Sequence, residues 1–166
     1  MKLRLFGCVN DSIVDGPGLR YTIFVQGCHH NCLGCHNPES HDINGGYVKE
    51  IAEILKEIDE NPLLDGITLS GGEPMLQVET LIELSKEVKK RNLNIILYSG
   101  YTYEQIIDDV NKKSLLELCD ILIDGKCELK KRSLSLLYRG SSNQRLINVQ
   151  ESLKQNCIIE YNEREL

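Results

Sequence analysis

Three cysteines, Cys28, Cys32 and Cys35, fall within eight residues of the stretch Gly-Cys-His-His-Asn-Cys-Leu-Gly-Cys-His-Asn-Pro-Glu over 27–39. Thiolates this close can converge on one soft metal centre with little chain to order, so the fold must present them on one short loop. The C-x3-C-x2-C set is one donor short of a closed site. An iron–sulfur cube with a cysteine on every iron passes electrons, whereas a cube with three cysteines leaves one iron open to a small-molecule ligand. A structural zinc site of Cys3His type is the other reading, since all four histidines (His29, His30, His36 and His41) lie within 13 residues around these cysteines. Structural zinc sites favour paired C-x2-C hooks from two separate segments; here the third cysteine shares the same loop.

The other four cysteines, Cys8, Cys119, Cys127 and Cys157, stand singly, and the odd total of seven does not suit a disulfide framework. A reducing cytoplasm fits. The opening residues, Met1 to Gly7, contain no apolar signal core, and no stretch of 18 apolar residues occurs, which predicts a soluble protein with no membrane partner. Nineteen Lys+Arg against 25 Asp+Glu, a net charge of -6, leave no broad basic footprint for nucleic acid. At 166 residues, residues 1–166 read as one domain able to bury roughly 70% of its unfolded surface.

Along the chain, a short opening strand leads to the turn signal Asp15-Gly16-Pro17-Gly18 and a strand over Leu19–Gln26 that ends at the first cysteine. Val48, Ile51, Ala52, Leu55 and Ile58 recur at helical spacing and predict a helix over Tyr47–Glu60. Strands follow at Gly66–Leu69 and Asn94–Tyr98. Between them Pro74 opens a helix that ends in Lys89-Lys90-Arg91, basic residues that suit its C-terminal dipole. Thr102 with Gln105 is a capping-box signature for a helix carrying Ile106, Ile107 and Val110. A fourth strand is expected at Asp120–Ile123, then a basic helical stretch, a strand near Leu136–Tyr138 and a last strand including Leu146–Val149. Strands alternating with helices predict an α/β fold of parallel strands with outer helices, either an open sheet or a barrel that stops short of eight units. In such folds ligands bind at the C-terminal strand ends, where the cysteine loop, Ser70-Gly71-Gly72-Glu73, Ser99-Gly100-Tyr101 and Asp124-Gly125-Lys126 all fall.

Gly71-Gly72-Glu73-Pro74 alone reads as a tight turn. Beside the cysteines it gains a second reading: glycines expose backbone N–H and C=O groups to a ligand, and the Glu73 carboxylate suits an ammonium, which together fit an amino-acid ligand.

The cysteine motif after one strand and Gly-Gly-Glu-Pro after the next resemble the signature of the radical S-adenosylmethionine superfamily. VDGPGLRYTIFVQGCHHNCLGCHNPES, with the later YSGY, DGK and RGSSNQR stretches, is similar to the activases of anaerobic (class III) ribonucleotide reductases. The resemblance covers nearly the whole chain and implies a single-domain, incomplete TIM-type barrel. It also implies that Cys28, Cys32 and Cys35 bind a 4Fe-4S cluster and act through it, the open iron being chelated by S-adenosyl-L-methionine. Reductive cleavage would then give a 5′-deoxyadenosyl radical that makes a glycyl radical on the large catalytic subunit of the reductase. By the same resemblance Ser70, Gly71, Gly72 and Glu73 meet the methionine moiety and Gly34 and His36 lie near the adenine. Many relatives carry an aromatic residue where Gly34 stands, so only its backbone is available there.

Asp124 and Lys126 resemble an Asp-x-Lys motif near the cofactor's polar parts, against the plainer reading of a glycine turn with solvated charges. Asp15 to Gly18 resembles a segment near the glycine-bearing peptide. Arg139 and Arg145 read as loop arginines, solvated or paired with a carboxylate or a partner's acidic surface. A one-electron donor such as flavodoxin is implied, and a homodimer is left open. The alternatives are activation of another glycyl radical enzyme, such as pyruvate formate-lyase, and a non-catalytic zinc or iron–sulfur binding module.

Overall fold

A computed structural model describes residues 1–32, 35 and 38–166. Seven strands form one sheet: β1 (Lys2–Ser12), β2 (Arg20–Val25), β3 (Tyr47–Glu50), β4 (Gly66–Gly71), β5 (Asn94–Ser99), β6 (Ile121–Asp124) and β7 (Arg145–Asn148), in the order β3-β1-β2-β4-β5-β6-β7. The expected parallel strands are the inner four. β2, β4, β5 and β6 pair in parallel, each beside its predecessor. At the edges β1 runs antiparallel to β2 and to β3, and β7 antiparallel to β6. The prediction of parallel strands throughout is therefore corrected at both edges, where the connections are loops rather than the helical crossovers that parallel pairing needs. The α/β class holds.

The helices α1 (Ile51–Asp59), α2 (Val78–Lys90), α3 (Tyr103–Ile107), α4 (Val110–Leu116) and α5 (Val149–Gln155) complete the fold. Alternation along the strands decides what they cover, because successive side chains point to opposite faces. Tyr21, Ile23 and Val25 of β2, Ile67 and Leu69 of β4, Ile95 and Leu97 of β5 and Leu122 of β6 share one core with Ile54, Leu81, Leu84, Val88, Ile106 and Leu115 of the helices. The opposite face holds a small cluster of Ile96, Ile121, Ile123 and Leu146. Beside that cluster lie Arg20, Thr22 and Thr68, all fully buried. One face is thus an ordinary helix-covered core, and the other is small and partly polar.

Several local expectations change. The helical spacing at Tyr47 begins with β3, which lies along β1 with Leu5 opposite Tyr47, and the helix starts only at Ile51. The Thr102–Gln105 capping box forms as expected. The helix it starts stops at Ile107 because Asp109 caps a new one, accepting from the backbone N–H groups of Asn111 (3.0 Å) and Lys112 (3.1 Å). Leu136–Tyr138 is not a strand but a run of bends, with Tyr138 at φ 63°. The basic stretch before it forms a single helical turn, Leu129–Lys131. Val149 belongs to α5, which the sequence reading did not include and which Asn148 caps. Among the described residues no helix is long and apolar enough to cross a membrane.

Arg20 fixes the turn that precedes β2. It is fully buried, and its guanidinium donates to Thr68 Oγ1 (2.7 Å), Ile67 O (2.6 Å), Asn94 Oδ1 (2.6 Å) and Pro17 O (3.0 Å). Burial pulls its pKa down to about 10, so it stays cationic at neutral pH. Thr68 in turn donates to Asp15 O (2.9 Å). Gly16, at φ 146°, lies where a Cβ would come within 2.4 Å of Ile96 and 2.8 Å of Arg20. Arg20 therefore ties the Asp15–Gly18 turn onto the polar face of the sheet.

Arg20→Met keeps an unbranched apolar stem but removes every one of these donors, leaving buried acceptors such as Ile67 O without them. It is expected to destabilise the apo-protein by about 3 kcal/mol, read as a shifted midpoint in urea unfolding. A loss below about 1 kcal/mol would mean that the arginine does not carry the turn.

Candidate functional site

β2 and β4 end side by side, and their pairing continues past the strands. Gly72 N donates to Val25 O (2.8 Å) and Glu73 N to Gly27 O (2.7 Å). The cysteine loop leaves from Gly27, at φ 108°, and returns along itself: Gly27 N donates to Ser40 O (2.6 Å) and Cys28 N to His41 O (3.1 Å). Gln26 Nε2 fastens the returning limb at Asp42 O (2.7 Å). This close stacking explains the glycine pair. A Cβ on Gly72 would lie 2.2 Å from Gly27 O, and one on Gly71, at φ 100°, 2.3 Å from Val25 N. The nearest backbone that these glycines admit is that of β2 at Gly71 and of the start of the cysteine loop at Gly72.

Glu73 is only 1% exposed, and its carboxylate faces donors from the protein. Oε1 lies 2.6 Å from His30 Nε2 and accepts from Gly100 N (2.7 Å). Oε2 accepts from Met75 N (2.9 Å), and Ser99 Oγ donates at 3.0 Å. The His30 ring meets Tyr101 edge-on with centroids 4.7 Å apart. It also packs so closely on Gly100 that a Cβ there would approach to 2.5 Å. One buried carboxylate thereby joins the end of β4, the end of β5 and the cysteine loop.

The end of β6 has a similar arrangement. Asp124, 1% exposed, accepts from Tyr103 N (2.8 Å) and from Arg145 Nε (3.0 Å). That pairing holds the Arg145 guanidinium above its usual pKa. Gly125, at φ 95°, then turns the chain so that Lys126 faces the opening. Residues 141–144 fasten this turn: Gln144 Nε2 donates to Gly125 O (2.9 Å), Asn143 Nδ2 to Lys126 O (2.7 Å) and Glu128 N to Ser141 Oγ (3.2 Å). Arg139 pairs with Glu163, and Arg145 also reaches Glu104 (3.0 Å). Both loop arginines are thus paired within the chain. The bracing role of Ser-Ser-Asn-Gln was missed in the sequence, where a run of short amides and hydroxyls was its only signal.

These ends surround a cavity of about 850 Å³. Cys28, Cys32, Cys35, Ser70, Gly71, Gly72 and Lys126 line it, with Val14 and Asp15 of the β1–β2 connection and Leu134 of the 133–138 bends. Glu73 and Asp124 are not among its lining residues. Gly34 and His36 lie outside the described residues. Cys127, given no role from sequence, also lines the cavity.

Cys28, Cys32 and Cys35 are thiols outside any disulfide. Burial pushes the Cys28 thiol up, with the His30 backbone N–H opposing and the charge of Glu73 adding to the rise. Burial does the same at Cys32, where the Cys127 backbone N–H opposes. Neutral thiols are therefore favoured until a cation is bound. Among the described residues, no three His, Cys, Asp or Glu side chains gather about a single ion position. One zinc ion needs every donor about 2.0–2.3 Å from one point, whereas a four-iron cube takes each thiolate on a different iron. The donor set, soft and spread along one wall, fits the cube. His30 is engaged with Glu73, and His41 Nε2 lies 3.3 Å from Cys35 Sγ.

Comparison with known proteins agrees with this donor set. A family model described as a 4Fe-4S single cluster domain matches residues 14–147. The chain is 35% identical over 142 residues to the anaerobic ribonucleoside-triphosphate reductase-activating protein of Haemophilus influenzae, covering 80% of this chain and 89% of the relative. It is 36% identical over 153 residues to the protein of the same name from Enterobacteria phage T4 (86% and 90%). The Escherichia coli K12 protein of that name is 32% identical over 140 residues (80% and 90%). A cysteine loop braced at the ends of parallel strands, a matching cluster-domain model and relatives aligned over most of both chains lead to one conclusion: the chain belongs to the 4Fe-4S single-cluster family of anaerobic ribonucleoside-triphosphate reductase-activating proteins.

Proposed function

We propose that the chain is a radical S-adenosyl-L-methionine enzyme that installs a glycyl radical on the large catalytic subunit of the anaerobic ribonucleotide reductase. Residues 1–166 are read as one such domain. The observation that carries the reading is the shared cavity, in which the three thiols of the β2 end face Ser70-Gly71-Gly72 of the β4 end and Lys126 of the β6 end. When bound, the cluster supplies one electron to the sulfonium of S-adenosyl-L-methionine, giving methionine and a 5′-deoxyadenosyl radical.

The chain's residues divide the remaining work. Ser70 with the backbone of Gly71 and Gly72 offers hydrogen-bonding groups to the methionine moiety, and the Lys126 ammonium suits its carboxylate or the ribose. The Glu73 carboxylate is taken up by protein donors, so in this reading it positions the cysteine loop rather than holding the ligand's ammonium. Asp124 likewise acts through the turn it anchors. Gly34 and His36 are assigned to the adenine end. The opening beside Val14 and Asp15 admits the glycine-bearing segment of the reductase, and the cavity volume of about 850 Å³ is within the range of small-molecule sites. The monotonic order of the parallel strands and the partly polar second face support an incomplete barrel. A one-electron donor such as flavodoxin, a cytoplasmic setting and a homodimer complete the reading.

Mixing the anaerobically reconstituted protein with a reductant, S-adenosyl-L-methionine and the reductase is expected to give 5′-deoxyadenosine and a glycyl radical doublet in the electron paramagnetic resonance spectrum. A doublet only with pyruvate formate-lyase in place of the reductase would transfer the assignment to that enzyme. Cys32→Ser is expected to lower iron below about four per chain and to abolish both products; undiminished cleavage would remove Cys32 from the ligand set.

Glu73→Gln separates bracing from ligand binding. A glutamine has one accepting oxygen and turns an NH2 group on donors that faced a carboxylate, so a loss of about 3 kcal/mol in apo-protein stability is expected in urea unfolding. Unchanged stability with a raised KM for S-adenosyl-L-methionine would instead make Glu73 a ligand-binding residue.

A further inference from the structure

His41 touches the cysteine loop twice. Its carbonyl accepts from Cys28 N (3.1 Å), while its own N–H donates to Pro38 O (3.2 Å), which closes the turn on which it sits. From that fixed backbone its half-buried ring reaches across the loop, placing Nε2 3.3 Å from Cys35 Sγ. One residue thereby contacts the first and the last of the three cysteines. A sulfur bound to iron is a thiolate with no proton to give, so this contact becomes an N–H···S hydrogen bond with Nε2 as the donor. His30, by contrast, directs its Nε2 to Glu73.

We propose that His41 is a positioning residue of the cluster, whose Nε2–H donates to the iron-bound sulfur of Cys35 and raises the cluster's reduction potential. The inference rests on the cluster reading given above. Its physical basis is that reduction adds one negative charge, part of which resides on the thiolate sulfurs. A donor dipole aimed at one of them therefore stabilises the reduced state more than the oxidised state. In a partly buried site the effect is less screened than in water. The backbone bonds of His41 do not involve the ring, so the loop tie survives replacement of the side chain.

The test compares wild type, His41→Gln, which retains an N–H donor, and His41→Leu, which does not, each reconstituted with iron and sulfide. Iron content and the electron paramagnetic resonance signal of the dithionite-reduced protein come first; absence of a cluster from wild type would overturn the cluster reading itself. With clusters present, potentiometric titration is expected to place the His41→Leu midpoint below wild type by about tenfold in the reduction equilibrium constant, about 59 mV for one electron. His41→Gln is expected to recover most of that shift. Equal midpoints in all three proteins would overturn the assignment while leaving the cluster reading intact. If His41→Leu takes up no cluster, electron–nuclear double resonance of reduced protein labelled with 15N-histidine decides the matter. A weak nitrogen coupling in wild type that disappears in His41→Gln supports the bond, and no coupling in wild type overturns it.

Discussion

A carboxylate almost wholly removed from water must find donors for both oxygens, and Glu73 finds them on three separate segments. An ionised group in that position costs several kcal/mol unless it is fully paired. The demand for pairing therefore selects one mutual arrangement of the β4 end, the β5 end and the cysteine loop. His30 completes the set from within the cysteine motif itself, between Cys28 and Cys32, and its packing against Gly100 and Tyr101 fixes the ring. The position of the thiols is thus decided by a group that contributes nothing to the cavity wall. Were Glu73 free to turn outward, His30 would lose its partner and the loop its link to β5.

The same division recurs across the sheet at β6. The buried Asp124 pairs with the partly exposed Arg145, Gly125 turns the chain, and Ser141, Asn143 and Gln144 hold the turned segment by its carbonyls and N–H groups. Charged residues at the strand ends serve as anchors behind the surface. What the strand ends themselves turn to the cavity is softer, namely thiols, a hydroxyl, glycine backbone and the Lys126 ammonium, with Asp15, Arg132 and Arg139 lining it from the connecting loops. Anchors of this kind keep the open groups at fixed separations, which is what a ligand held at several points requires.

Much of this was legible in the sequence, and the illegible part has a common cause. Strand and helix periods are local properties, so the four parallel strands, the Thr102 capping box and the placement of motifs at strand ends could be read directly. The direction in which β1, β3 and β7 pair depends on how distant segments meet, and no local period encodes it. Tyr47–Glu50 shows the ambiguity well: Val48 fits the helical spacing of the residues after it, yet the segment pairs with Lys2–Leu5. The protein partners of Glu73 were hidden for the same reason. Its residue type says carboxylate, but whether it faces a ligand or the protein depends on Ser99 and Gly100, 26 and 27 residues away. The packing role of Gly71-Gly72 was hidden too, since ligand access and close chain packing both call for a missing Cβ: a Cβ on Gly72 would lie 2.2 Å from Gly27 O, and both glycines also line the cavity.

Zinc and iron–sulfur chemistry, both open from the spacing of the cysteines, part company over the histidines. A Cys3His zinc site needs one imidazole to join the three sulfurs at a common point. His30 Nε2 is engaged with a buried carboxylate, and His41 Nε2 lies 3.3 Å from Cys35 Sγ while its backbone carbonyl accepts from Cys28 N. His30 is tied to the sheet through Glu73, and in the inference drawn above His41 acts on the sulfur as a donor rather than as a fourth ligand. Among the described residues, the three cysteines line a cavity large enough for a second molecule. In the reading proposed above, a cube with one uncommitted iron would answer both features at once, since three cysteines leave one iron without a protein ligand.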